Sequence, residues 1–147
     1  MNKVVVTVEG RQTDAMGEES CIKVVAEGRH FYKNGHNYIL YEEGETAETG
    51  KVSTMLKIAG DSMTLLRRGA IAQEQHFARG KESKSMYRTP YGALDLSIRT
   101  KSIKILYGSV SGHIEIVYQL AINGKWQSDN ELRIAVCAAA AETNNLN

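Results

Sequence analysis

Two adjacent arginines, Arg67 and Arg68, close the stretch "MTLLRRG". In an extended strand, neighbouring side chains project to opposite faces. Arg67 then shares a face with Met63 and Leu65, and Arg68 with Thr64 and Leu66. The first set is the more apolar, so Arg67 is the inward arginine. A buried guanidinium needs acceptors, because an unpaired buried charge is very costly. The chain offers Glu42 and Glu43 at the end of "YILYEE", Asp95, and main-chain carbonyls. Two chemistries follow. Arg67 either closes one end of the fold as a structural ion pair, or uses its planar fork to hold a ligand's anion, such as a carboxylate.

A second group lies in "HFARGKESKSMYRTPYG". Phe77 shares parity with Ile71 and would line an inner wall. Tyr87 and Thr89 offer hydroxyls from one strand face. Pro90, Tyr91 and Gly92 read as a structural corner, and Gly69 and Gly80 as turns on either side of the Phe77 strand. His30 and His36 flank an Asn-Gly pair and are expected in solvent; His76 and His113 are expected at the surface or at an edge. The histidines do not fall in a metal pattern, so no metal is expected. There is no Gly-rich phosphate loop, no paired-cysteine spacing, no nucleophile elbow and no serine in a triad context, so no cofactor and no catalytic residue is expected either.

The elements that must position these residues are strands. Apolar residues alternate with polar ones in "KVVVTVEG" (Val4, Val6, Val8), "CIKVVAEG" (Ile22, Val24, Ala26), "ALDLSIRT" (Leu94, Leu96, Ile98) and "HIEIVYQLAING" (Ile114 to Ile122). Asn34-Gly35 and Asn123-Gly124 are strong hairpin signals, and Gly60-Asp61 marks a third turn. "HFYKNGHNYILYEE" reads as two short strands. After Lys101 the apolar parity flips to Ile103 and Ile105, which predicts a bulge or kink between Thr100 and Ser102. No amphipathic helix emerges. Strands at a spacing of roughly 8–12 residues predict a sandwich or barrel. Sequential hairpins favour an up-and-down meander, and closure removes its exposed edges. The expected fold is all-β: a single closed or nearly closed antiparallel up-and-down barrel of about eight to ten strands, a size that its own side chains fill or that holds one small ligand.

Composition limits the function. The chain has 18 basic and 17 acidic residues, a balance that supplies no electrostatic footprint for nucleic acid or an anionic membrane. Phe31, Tyr32, Tyr38 and Tyr41 cluster among basic residues, but without a basic stripe they do not make a nucleic-acid platform. No apolar run is long enough to span a bilayer, and "MNKVVVTVEGRQ" does not have the form of an export signal. A cytoplasmic protein is expected, with Cys21 and Cys137 as small buried hydrophobes. One barrel domain is expected over residues 1–140, with a disordered tail at 141–147.

"YILYEE", "LLRRG", "HFARG" and "YRTPYGALDLSIRTKSI", in that order and spacing, resemble the YwiB-like bacterial proteins, a family of unknown function with a calycin-like (lipocalin-type) β-barrel. The likeness runs from about Val4 to Val136. The matching positions are Tyr41, Glu43, Arg67, Gly69, Phe77, Gly80, Tyr87, Pro90, Tyr91, Gly92, Thr100 and Ile103. Arg67 takes the family's arginine position and Arg68 falls where the family varies, in agreement with the parity argument. The resemblance implies the barrel and a bacterial cytoplasmic origin, and no activity, cofactor or partner.

Three functions are expected in descending order. The first is a non-enzymatic barrel holding a small apolar or amphipathic molecule in its interior, with Arg67 and Tyr87 orienting a polar end, Phe77 on the wall, and Glu43, Tyr41 and Thr100 completing the site. The second is a filled barrel without a ligand, acting as a structural or interaction module, for instance as a homodimer. The third is an enzyme using Arg67, Glu43 and Tyr87 on a small anionic substrate.

Overall fold

Strict alternation gives each strand one apolar face, and wrapping the strands into a barrel buries it. The computed structural model describes residues 1–46 and 50–139, and its regular structure there is entirely β. The strands are β1 (Asn2–Asp14), β2 (Glu19–Lys33), β3 (His36–Thr46), β4 (Gly50–Ile58), β5 (Ser62–Gly69), β6 (Gln73–Ala78), β7 (Glu82–Thr89), β8 (Gly92–Tyr107), β9 (Gly112–Ile122) and β10 (Lys125–Ala138). They form one antiparallel ten-stranded sheet in the order β6-β5-β4-β3-β2-β1-β10-β9-β8-β7. Sequence neighbours other than β6 and β7 are sheet neighbours, as in a meander, and β1 pairs with β10 from Val4↔Ala138 to Asp14↔Ser128.

The remaining seam lies between β6 and β7. Ala72 and Arg88 exchange two backbone hydrogen bonds there, at 2.9 and 2.8 Å. Farther along, Gly80 N–H donates to the Thr100 carbonyl at 3.0 Å, and Thr100 N–H to the Lys81 carbonyl at 3.1 Å. The barrel is therefore nearly closed, as expected.

Asn34-Gly35 and Asn123-Gly124 turn their hairpins with φ of 53° and 80°, and of 52° and 83°, the paired left-handed conformations of a type I′ turn. The ladder of β8 and β9 shifts register between Thr100 and Ser102. This is the bulge that the parity flip predicted, and it keeps Ile98 and Ile103 both facing inward. Val4, Val6, Ile39, Leu56, Ile58, Met63, Phe77, Ile98, Ile114, Ile116, Ile134 and Val136 are each at most 1% exposed and form the core. Phe77 meets the edge of Tyr118 with ring centroids 5.1 Å apart.

Three expectations need correction. "CIKVVAEG" and "HFYK" are one strand, β2, which runs through Gly28. That glycine serves close approach: a Cβ there would stand 2.7 Å from the Leu40 carbonyl oxygen of β3. Cys21 and Cys137 are exposed, because each sits on the outward parity of its strand, opposite Arg11 and Val5 respectively. His30 is not solvated but buried, because it is inward-facing on β2, opposite Ile39. The tail expected at 141–147 lies outside the described residues.

Candidate functional site

The site begins with register. Thr54 on β4 lies opposite Tyr41 on β3 and Arg67 on β5, and Arg67 lies opposite Gln73 on β6. Glu43, two residues beyond Tyr41, faces the same side. Arg67 Nε donates to Glu43 Oε2 at 3.0 Å, and Nη2 donates to Oε1 at 2.8 Å. Nη1 donates to Gln73 Oε1 at 3.0 Å, so every guanidinium nitrogen is engaged. Thr54 Oγ1 donates to Glu43 Oε2 at 2.7 Å. The Arg67 and Glu43 side chains are 25% and 24% exposed, which sets the pair near an opening rather than at the centre of the core. Beside it, burial pushes the Tyr41 hydroxyl up to about 12; the negative Glu43 adds to the shift, and Arg67 and the Thr54 hydrogen bond oppose it. The arginine's acceptor is thus Glu43, one of the carboxylates that the sequence offered.

The expected site residues divide into two groups. Arg67, Glu43 and Tyr41 stand together. Tyr87, half-buried, lies near them, since the Ala72–Arg88 bridge sets Gln73 and Tyr87 as the next facing positions across the seam. Phe77 lies farther along β6, against Met63 and Tyr118. Thr100 lies opposite Tyr118 at the bulge, and its buried hydroxyl has no partner among the described residues. Thr89, expected to present a free hydroxyl, uses it in the corner: it accepts from Tyr91 N–H and donates to the Gly92 carbonyl. Thr54 and Gln73 were missed as members of the site. Parity alone could have found them, since Thr54 alternates with Val52 and Leu56, and Gln73 with Phe77.

The barrel wall opens beside this cluster. Pairing of β2 with β3 ends at Gly28↔Tyr41. Beyond it, β2 continues along β1 and β3 along β4. A groove of about 1060 Å³ occupies the split. Its lining includes inward-facing Val4, Gly28, Tyr41 and Thr54, apolar Val5 and Leu40, and charged Lys3, Glu27, Arg29 and Glu42. Lys51 pairs with Glu42 at 3.1 Å. Tyr41 and Thr54 connect the groove floor to the Glu43–Arg67 pair. Among the described residues, no group of three or more His, Cys, Asp or Glu side chains is arranged to hold a metal ion.

Residues 6–134 match the family described as Domain of unknown function (DUF1934). The chain belongs to this family. The uncharacterized β-barrel protein YwiB of Bacillus subtilis (strain 168) is 26% identical to it over 118 residues, 80% of this chain and 82% of that protein. The crystal structure of ywiB protein from Bacillus subtilis superposes with a TM-score of 0.84 at 25% identity, covering 94% of this chain and 92% of that one. The resemblance read from "LLRRG" and "YRTPYG" and the nearly closed barrel therefore agree, and a DUF1934 chain is a β-barrel protein of uncharacterised function.

This DUF1934 barrel also holds a buried polar group that sequence reasoning missed. His30 Nδ1 lies 3.1 Å from Asn2 Nδ2, and Nε2 lies 2.8 Å from Asn37 Oδ1. The ring stacks on Tyr107 at 5.7 Å. With Asn2 donating to Nδ1 and Nε2–H donating to Asn37, a neutral imidazole is fully satisfied, and the arrangement reads as a structural plug.

Proposed function

We propose that the protein is a non-enzymatic binding barrel for a small apolar or amphipathic molecule, admitted where β2 and β3 part. One observation carries this reading: the groove at the split is lined in part by Val4, Tyr41 and Thr54, buried residues of the inner rows of their strands. Its volume of about 1060 Å³ lies just above the roughly 300–1,000 Å³ usual for ligand pockets. Val5 and Leu40 would hold the aliphatic part, and Lys3 and Arg29 would orient an anionic end. Arg67 would act behind the wall: its fork is engaged by Glu43 and Gln73, so it fixes the floor rather than the ligand. Phe77 and Thr100 belong to the filled interior in this reading, which moves the ligand from the barrel axis to its side. The calycin-like kinship and cytoplasmic location expected from the sequence belong to the same reading. A second reading, a filled barrel acting through protein contacts, is favoured by the open edge of β2.

Native mass spectrometry of the chain purified from its own cells tests the first reading. The expected result is a co-purifying small molecule that is lost in Leu40→Glu, with unchanged circular dichroism. A protein that carries no added mass, or whose adduct persists in Leu40→Glu, overturns it.

A further inference from the structure

β2 pairs with β1 along nearly its whole length, from Asn2↔His30 to Thr13↔Glu19, without a register shift. It pairs with β3 only from Gly28 to Lys33. Its second edge, from Glu19 to Glu27, therefore has no strand against it among the described residues. Ile22 and Val25 on this stretch are 65% and 61% exposed. A long edge without proline or bulge, carrying exposed apolar side chains, is a template for another strand. The seam between β6 and β7, in contrast, is bridged at Ala72 and Arg88.

We infer that a second copy of the chain pairs here, β2 against β2, antiparallel about a two-fold axis at Cys21. The strand's charges select the partner and the register. Centring on Cys21 sets Glu19 opposite the partner's Lys23, and Lys23 opposite the partner's Glu19, the favourable cross-strand arrangement. Centring on Lys23 would use more of the edge, but it opposes lysine to lysine and Glu19 to the partner's Glu27. Centring on Val25 also matches Lys23 with glutamate, but it drives Ile22 of one copy onto Gly28 of the other, where Tyr41 of β3 already takes the edge. The contact is isologous, as a closed dimer requires. It lies at the far end of β2 from the groove, so it is independent of the ligand reading.

The register brings the two Cys21 residues face to face. Directly opposed residues of antiparallel strands are about 4.5–5.5 Å apart at Cα, within disulfide range. Cys21 is exposed and in no disulfide, so it reports on the interface without being needed for it. The test uses the full chain carrying Cys137→Ser. Sedimentation velocity under reducing conditions is expected to show a dimer, and mild oxidation with diamide is expected to trap it as a disulfide-linked species that Cys21→Ser abolishes. Lys23→Glu is expected to weaken the dimer about tenfold, by opposing Glu19 with a second acid in two places. Glu19→Lys combined with Lys23→Glu is expected to restore it. Both positions are exposed, and circular dichroism checks that each variant folds. A monomer at all concentrations, a dimer indifferent to Lys23→Glu, or a dimer that oxidation does not link through Cys21 overturns the inference.

Discussion

Arg67 grips Glu43 through two parallel hydrogen bonds, Nε to Oε2 at 3.0 Å and Nη2 to Oε1 at 2.8 Å. The strands that carry them, β5 and β3, do not touch; β4 lies between, and its Thr54 joins the pair at Glu43 Oε2. The pair therefore ties three strands together across the barrel wall. Arg67→Ala leaves Glu43 with Thr54 alone, beside a buried tyrosine. The expected loss in urea denaturation is about 2–3 kcal/mol, below the range for fully buried pairs because a quarter of each side chain is exposed. Glu43→Gln should cost less, since an amide still accepts from Thr54 and Arg67. A loss under about 0.5 kcal/mol for Arg67→Ala would place the pair among ordinary surface ion pairs and remove its role as a tie.

Alkaline pH should loosen the same region. Burial raises the Tyr41, Tyr107 and Tyr118 hydroxyls from 10.0 to about 12. The folded state thus holds these protons more tightly than the unfolded chain. Their contribution is whole below about pH 10, and it is lost as pH rises through about 12. Phenolate absorbance should show three hydroxyls titrating as late as about pH 12, and the urea midpoint should fall over that window. Arg67→Ala should push Tyr41 higher still, because the guanidinium favours the phenolate. Absence of any phenol titrating well above 10.0 would contradict this.

Glycine substitutions should separate close approach from turn conformation. Gly28→Ala meets the Leu40 carbonyl oxygen at 2.7 Å and should cost about 2 kcal/mol. Gly69 has φ of 124°, and an added Cβ would press on the Lys51 carbonyl, so Gly69→Ala should cost more. Gly35→Ala, at φ of 80° with open space around it, pays for its conformation alone, about 1–2 kcal/mol. Thermal denaturation that ranks Gly35→Ala as the worst of the three would refute this account.

Thr100 offers the opposite sign. Its hydroxyl is buried without a partner among the described residues. Thr100→Val keeps the shape and removes the orphaned group, and should stabilise by about 1 kcal/mol. Destabilisation of that size would mean that the hydroxyl is engaged.

Much of this architecture was legible because a barrel writes its register into residue parity and its hairpins into turn residues. The inward placing of Arg67 and the bulge after Thr100 follow from side chains alternating across a strand, and both Asn-Gly hairpins from the positive φ their turn residues tolerate, all strictly local properties. What parity does not encode is which inward residues end up side by side. Glu43 could be proposed for Arg67, but Gln73 and Thr54 join it only through ladders set over the whole sheet. His30 was misread because proximity to a turn in sequence stood in for exposure, whereas Asn2 and Tyr107, distant in the chain, enclose it. The split between β2 and β3 was invisible for the same reason. A strand's sequence does not state how far its neighbour accompanies it.

The seam between β6 and β7 has a consequence for connectivity. The ladder joining β1 to β10 is among the longest in the sheet, whereas β6 and β7 meet at one bridge. Cut at Arg79–Lys81 and joined from the end of β10 to the start of β1, the chain would run β7, β8, β9, β10, β1 and onward to β6, with sequence order and sheet order identical from edge to edge. Translation could begin at the seam and every ladder would still form between consecutive strands. The sheet is a simple ribbon of hairpins in which a single long-range ladder, β1 with β10, joins strands far apart in sequence.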